Sequence, residues 1–216
     1  AGLRFTLAPG KPVTLVLAMD SVFKSKTYAE QVTEDLSDLS DPADLTALRE
    51  AHAAWWADYW SQSYVEIGDP VIEAAYYRSL YHMGACSRDS RFPPGIFGWV
   101  TTDHPHWSGD YHLNYNHMAP FYALYSANRI EQADPEDAPI LDFRARGRWY
   151  AENVTRTRGV LFPVGIGPLG IETTRGRRYG GNANSEKGGL FFQQRSNSAY
   201  CLVNIAQRWR TTYDPE

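Results

Sequence analysis

The chain has 216 residues, 43% hydrophobic, 14% aromatic and 21% charged, with a formal net charge of −4. That length allows one or two domains, the mild acidity gives no support for nucleic acid as a partner, and no apolar run approaches the roughly 20 residues of a membrane span. Two distant cysteines, Cys86 and Cys201, make neither a metal-spaced pair nor a disulfide framework. Arginines gather at Arg144, Arg146 and Arg148 and again at Arg175, Arg177 and Arg178, but acidic residues flank both runs and a solvated face accounts for them.

The first 19 residues predict strands. Leu3, Phe5 and Leu7 alternate with polar neighbours, Pro9-Gly10 turns the chain, and Val13, Leu15 and Leu17 alternate again. A lone hairpin is marginal in water, so residues 1–19 read as the last strands of a β-sandwich. Residues 20–66 read as a linker, with a short helix over Ala29–Leu36, followed by a first long helix. That helix opens at Asp41-Pro42, where Asp caps exposed amides and Pro suits the first turn. Leu45, Leu48, His52, Trp55 and Tyr59 then form one stripe at 3-4-3-4 spacing. Residues 67–216 read as a helical array. Asp69-Pro70 repeats the start signal ahead of an inward stripe of Ile72, Tyr76, Leu80 and Met83, and the helix should fade near Gly84 to Arg88.

Residues 89–113 form a long loop, whose length inside a compact domain points to function. A third helix is expected from about His112–Asn114 towards Arg129, with Pro120 kinking it or marking its first turn. Asp134-Pro135 starts a fourth over about Ala138–Thr157, stopped by Gly159. The glycine-rich stretch 159–189 contains Gly165, Gly167 and Gly170 in GxGxxG spacing, but no βαβ unit surrounds it and a dinucleotide site is rejected. A last helix covers 190–211. Asp214-Pro215-Glu216 is a further helix-start signal, and the chain is read as a fragment of a longer array.

The chemistry concentrates in Trp107–Asn116, WSGDYHLNYN. Aromatic, carboxylate, imidazole and amide groups crowd into ten residues, with Trp99, His104, His106 and His117 around them. Polar groups buried without partners cost about 1–3 kcal/mol each, so such a stretch suits water or a polar ligand. Sugars fit: ring faces stack on aromatics and hydroxyls take the hydrogen bonds. The plain alternative is an exposed aromatic loop packed on a neighbouring helix.

The helix AAWWADYWSQS, the loop PPGIFG, and GDYHLNYN followed by an aromatic helix and Asn128 resemble the catalytic region of family 95 glycoside hydrolases, the inverting α-L-fucosidases and α-L-galactosidases. The likeness is sharpest over residues 107–118. It implies a mainly α protein, part of an (α/α)6 toroid barrel preceded by the last strands of a β-sandwich. It also implies that Asn114 and Asn116 hold and activate the attacking water, that His112 contacts the sugar, and that Trp107 and Asp110 shape the same subsite. Trp99 and Glu172 are added as candidate substrate contacts. The run His117-Met118-Ala119-Pro120 departs from the family pattern, where a Gln is common, and bears on which sugar is bound.

Inverting hydrolysis needs an acid for the leaving oxygen and a base for water, with the two carboxyl groups roughly 6.5–9.5 Å apart. Amides orient water but accept no proton at neutral pH, so Asn114 and Asn116 are not the whole machinery. Asp103, Asp110 and Glu172 are the nearby carboxylates, with a salt bridge or loop cap as their plain role, and the acid is expected outside this chain. The expectation is therefore an exo-acting inverting hydrolase releasing a terminal α-linked fucose or galactose-like sugar, with no cofactor and no metal. Its partners are the carbohydrate substrate and the remaining segments of the same enzyme, in a periplasmic or extracellular setting implied by the resemblance. Two rivals stand beside it: a non-catalytic carbohydrate-binding helical-barrel protein, and a metal site built from the His/Asp cluster 104–117.

Overall fold

The computed structural model describes residues 4–96, 109–173, 194 and 196–214. The protein is mainly helical and divides into two units, Ala1–Ala57 and Asp58–Glu216. In the first unit the alternating stretch forms no strand among its described residues. The turn at Pro9-Gly10 is made, with the Lys11 N–H donating to the Ala8 carbonyl at 3.1 Å. The flanking segments do not pair, and their apolar side chains face outward, Leu17 88% and Met19 93% exposed. Two strands gain too little from each other alone, and no other described strand pairs with them. The short linker helix is present as α1, Tyr28–Asp38.

Helix α2, Pro42–Ser61, starts where Asp41 accepts the Ala43 N–H at 2.8 Å. Of its predicted stripe only Tyr59, in the second unit, is fully buried. Helix α3, Pro70–Cys86, is capped by the Asp69 carboxylate, which accepts from the N–H groups of Val71 and Ile72 at 2.9 and 3.2 Å. Its C-terminal half supplies Leu80 and Met83 to the core, whereas Ile72 in its first turn is exposed. Tyr59 fills the space above Gly84, where a Cβ would come within 2.9 Å of its ring, and donates its hydroxyl to the Leu80 carbonyl at 2.7 Å.

Between α3 and the next helix the chain makes a short strand, β1, Tyr111–His112. The expected helix from 112 is therefore shorter: α4 spans Ala119–Ser126, and Pro120 sits in its first turn, where a missing N–H costs nothing. A four-residue α5, Ile130–Ala133, and a 3-10 turn at Asp134–Glu136 lead into α6, Asp137–Asn153. The glycine-rich stretch contributes a second strand, β2, Gly165–Ile166, and a 3-10 turn at Pro168–Gly170. The predicted last helix is two, α7, Asn197–Tyr200, and α8, Leu202–Thr212.

Among the described residues, two apolar clusters carry the second unit. One gathers Leu80, Met83, Phe121, Leu124 and Tyr125 from α3 and α4. The other gathers Tyr111, Leu113, Met118, Phe143, Tyr150 and Ile166 around α6 and the small sheet. A fully buried Arg129 braces the first of these regions. Its Nη1 donates to Ser63 Oγ at 3.0 Å and to the Ala127 carbonyl at 2.9 Å, and its guanidinium lies 4.5 Å from the Tyr59 ring centroid. A buried guanidinium is tolerated because carbonyls, a hydroxyl and a ring face replace its water.

Glycines set the closest approaches in the second cluster. At Gly147, within α6, a Cβ would meet Val160 Cγ1 at 2.5 Å, and the Gly147 carbonyl accepts the Leu161 N–H at 3.0 Å. Gly170 has φ +68°, and a Cβ there would come within 2.7 Å of the backbone of Asp142 and Phe143. Gly170→Ala should therefore destabilise the protein by roughly 2–4 kcal/mol, from a left-handed backbone plus a forced backbone shift. A fall in the thermal unfolding midpoint measures it, and an unchanged midpoint would contradict this packing.

Candidate active site

The site is hung on a two-rung antiparallel ladder. Tyr111 stands opposite Ile166 and His112 opposite Gly165. The Leu113 N–H extends the ladder to the Val164 carbonyl at 2.7 Å. Beyond β2 the chain doubles back through the 168–170 turn, so that Glu172 bridges Ile166 and the Thr173 N–H reaches the Gly165 carbonyl at 3.2 Å. Residues 110–112 and 172–173, some sixty positions apart in the chain, thus lie on one small sheet.

That sheet joins the side chains. The Asp110 carboxylate holds His112 through its Nδ1, and its other oxygen accepts from Thr173 Oγ1 at 2.7 Å. Both residues are largely buried, their side chains 11% and 12% exposed. A carboxylate on Nδ1 fixes the tautomer and direction of an imidazole. Glu172 Oε2 accepts from the Tyr150 hydroxyl at 2.7 Å, and that hydroxyl accepts from Arg146 Nη2 at 3.3 Å. Asp110 is thus tied to His112 and Thr173, and Glu172 to Tyr150.

After β1 the chain makes a compact turn. The His117 N–H donates to the His112 carbonyl at 2.9 Å, and the N–H groups of Met118 and Ala119 both reach the Tyr115 carbonyl, at 3.1 and 2.9 Å. Leu113 and Met118 point inward and are fully buried. Asn114 is exposed and Asn116 half-buried. Neither side-chain amide makes a hydrogen bond among the described residues. Between them Tyr115 adopts φ +144°, costly for a residue with a bulky side chain. Strain of about 1–3 kcal/mol at one residue persists only where the surroundings impose it, and it gathers at functional sites.

Beneath the turn lies a buried polar group that the sequence reading did not assign. His117, fully buried, sits with its ring 4.7 Å from that of Tyr111 and 5.7 Å from that of Phe121, and its Nε2 is 4.0 Å from Glu136 Oε1. Burial pushes the His117 imidazole down to about 4, opposed by Glu136 and Asp110. Burial raises the Glu136 carboxyl well above its ordinary 4.5, and the neighbouring Asp137 adds to the rise. In the sequence His117 stands as a neighbour of the loop, a member of the metal alternative and the first residue of the run that departs from the family pattern, none of which signals a buried group. A histidine next to a binding stretch carries no sequence signal of burial, and Glu136 lay inside a helix-start pattern. Thr173 and Tyr150 likewise carried no signal, because only the sheet brings them in.

Trp99 and Trp107, with Asp103, His104 and His106, lie outside the described residues. No group of three or more His, Cys, Asp or Glu suited to a metal ion occurs among the described residues, and His112 is held by Asp110. The two ends of the undescribed segment meet: the Ile96 N–H donates to the Asp110 carbonyl at 2.9 Å, and a Cβ on Gly95 would overlap the Gly109 carbonyl.

The titrations predict a stability optimum in weak acid. The unfolded chain protonates His117 near its ordinary 6.5 but the folded chain only near 4, so stability is lost as pH falls between those values. Glu136 runs the other way: the folded chain keeps its proton above 4.5, so stability is lost as pH rises past that value. Thermal midpoints against pH should show His117→Phe with a shallower acid limb and Glu136→Gln with a shallower limb above it. Limbs unchanged in both variants would contradict the assignment.

Set against known families, the sequence model of the glycosyl hydrolase family 95 catalytic domain matches residues 24–200. No curated protein and no solved structure matches the chain. The match takes in α1 to α7 and the whole of the Asp110–His112–Asn114–Asn116 loop, and the chain belongs to glycosyl hydrolase family 95, as catalytic-domain sequence.

Proposed function

We propose that the protein is an exo-acting, inverting glycoside hydrolase that releases a terminal α-linked fucose or galactose-like sugar from glycans. Membership of the family supports glycoside hydrolysis and a carbohydrate substrate. The observation that carries the finer reading is the pair of amides on a strained turn, Asn114 and Asn116, which make no hydrogen bond among the described residues and flank Tyr115 at φ +144°. Backbone strain is retained there with side chains that spend no hydrogen bonds on the fold, as expected of groups kept for a ligand.

In this reading the amide oxygens of Asn114 and Asn116 accept hydrogen bonds from the attacking water and the sugar, orienting the water on the face opposite the leaving oxygen. His112, aimed by Asp110, holds a sugar hydroxyl. Glu172, oriented by Tyr150, stands at the sheet edge next to Ile166 as a further candidate sugar contact, and Trp99 and Trp107 supply aromatic faces. Asp110 is held by His112 and Thr173, and Glu172 by Tyr150; the acid that protonates the leaving oxygen is proposed to be a carboxyl group outside this chain. The periplasm or the cell exterior, where such glycans are met, is the proposed location. The remaining barrel and a preceding β-sandwich complete the architecture.

Asn114→Ala and Asn116→Ala, each in the full-length enzyme, should lower turnover of an α-L-fucosyl disaccharide by on the order of a hundredfold, the scale of losing a positioning group. Their thermal midpoints should stay close to that of the parent. Parent-like turnover in both variants would remove the role given to the amides. Saturable sugar binding with no hydrolysis in the parent itself would replace the enzyme by a carbohydrate-binding protein.

A further inference from the structure

The reaction has one more requirement: the two amides must point the same way in every molecule. Asn114 and Asn116 have no hydrogen bonds of their own to fix them among the described residues, so their direction is inherited from the backbone of the turn. The turn is tied to the scaffold at both ends. At its start, β1 pairs with β2. At its end, the His117 side chain is polar and fully buried.

His117 does two things at once. Its backbone N–H closes the turn on the His112 carbonyl at 2.9 Å. Its ring enters a pocket made by Tyr111, by Phe121 in α4, and by Glu136 from the turn ahead of α6. Both side chains of the His117–Glu136 contact are 0% exposed, and neither imidazole nitrogen gains a hydrogen bond of ordinary geometry. The same corner is closed from α8, where buried Asn204 donates its Nδ2 to the Met118 carbonyl at 3.3 Å. A core built for stability alone would place apolar side chains here, because a buried polar group with poor partners weakens the fold. The polar pair is retained in the one place where it can hold the turn.

We propose that His117 and Glu136 are positioning residues: their buried imidazole–carboxyl contact locks the 112–117 turn, and so the direction in which Asn114 and Asn116 present their amides. The proposal rests on the reading of those amides as substrate-facing, and its test separates the two. Neither His117 nor Glu136 touches the sugar, so their loss acts on the geometry of the turn and shows in kcat rather than KM.

The measurements are amide hydrogen exchange over 111–119 and steady-state hydrolysis of an α-L-fucosyl disaccharide, both in the full-length enzyme. Glu136→Met and His117→Phe remove the polar contact while keeping the volume, and His117→Phe also keeps the packing on Tyr111 and Phe121. Each should speed exchange of the His117 and Ala119 amides on the order of tenfold, with the amides of α3 unchanged. Each should lower kcat by on the order of tenfold at nearly constant KM. Glu136→Gln, which keeps the shape and polarity of the side chain, should hold both to within about threefold of the parent. Parent-like exchange in the His117→Phe and Glu136→Met turns would overturn the positioning role, whatever the turnover. Faster exchange with parent-like kcat would uphold the lock and overturn the catalytic role of Asn114 and Asn116 instead.

Discussion

Everything proposed for this protein depends on a few backbone hydrogen bonds between residues 111–113 and 164–166. Two rungs of antiparallel pairing are weak alone. Here they are flanked by the buried side chains of Tyr111, Leu113, Val164 and Ile166, so apolar packing and backbone pairing support one another. The return of the chain through Pro168–Gly170 then adds Glu172 and Thr173 to the same edge. Without that return, Asp110 would lose its second hydrogen bond and His112 would lose the carboxylate geometry that orients it. The local sheet is the reason an otherwise helical unit can assemble a polar cluster from residues far apart in sequence.

The unit handles buried polarity in two ways. Around Arg129 the guanidinium is compensated by carbonyls, the Ser63 hydroxyl and the Tyr59 ring, and the arrangement serves the joint between α2, α3 and α4. Around His117 and Glu136 compensation is poor, and the groups answer burial by shifting towards their neutral forms. The first pattern is what a scaffold uses. The second lies directly under the turn that carries the amides, and the contrast between the two locates where stability has been given up.

The sequence was legible where a physical signal is local. Asp41-Pro42 and Asp69-Pro70 announced α2 and α3 because a carboxylate cap and a proline first turn both act within four residues. The density of polar and aromatic groups at 107–116 marked the loop, and the family match over residues 24–200 supports the glycosidase reading drawn from it. The signal failed where the answer is tertiary. Alternation at 3–19 is a statement about a partner sheet, and no described strand supplies one. The run at 112–118 reads as helix by its aromatics, yet the backbone of 111–113 is taken by β2. Burial of His117 and Glu136 depends on α4, α6 and α8 converging, which no window of a few residues contains.

The meeting of Gly95 with Gly109, and of Ile96 with Asp110, has a consequence for how the polar loop is anchored. Joining two points that already touch costs loop entropy alone, and each doubling of a flexible connection adds only about 0.6 kcal/mol. Because Gly95 and Gly109 touch and Ile96 pairs with Asp110, the start of the Asp110–Asn116 loop is anchored to the segment after α3 by contacts that lie outside residues 97–108.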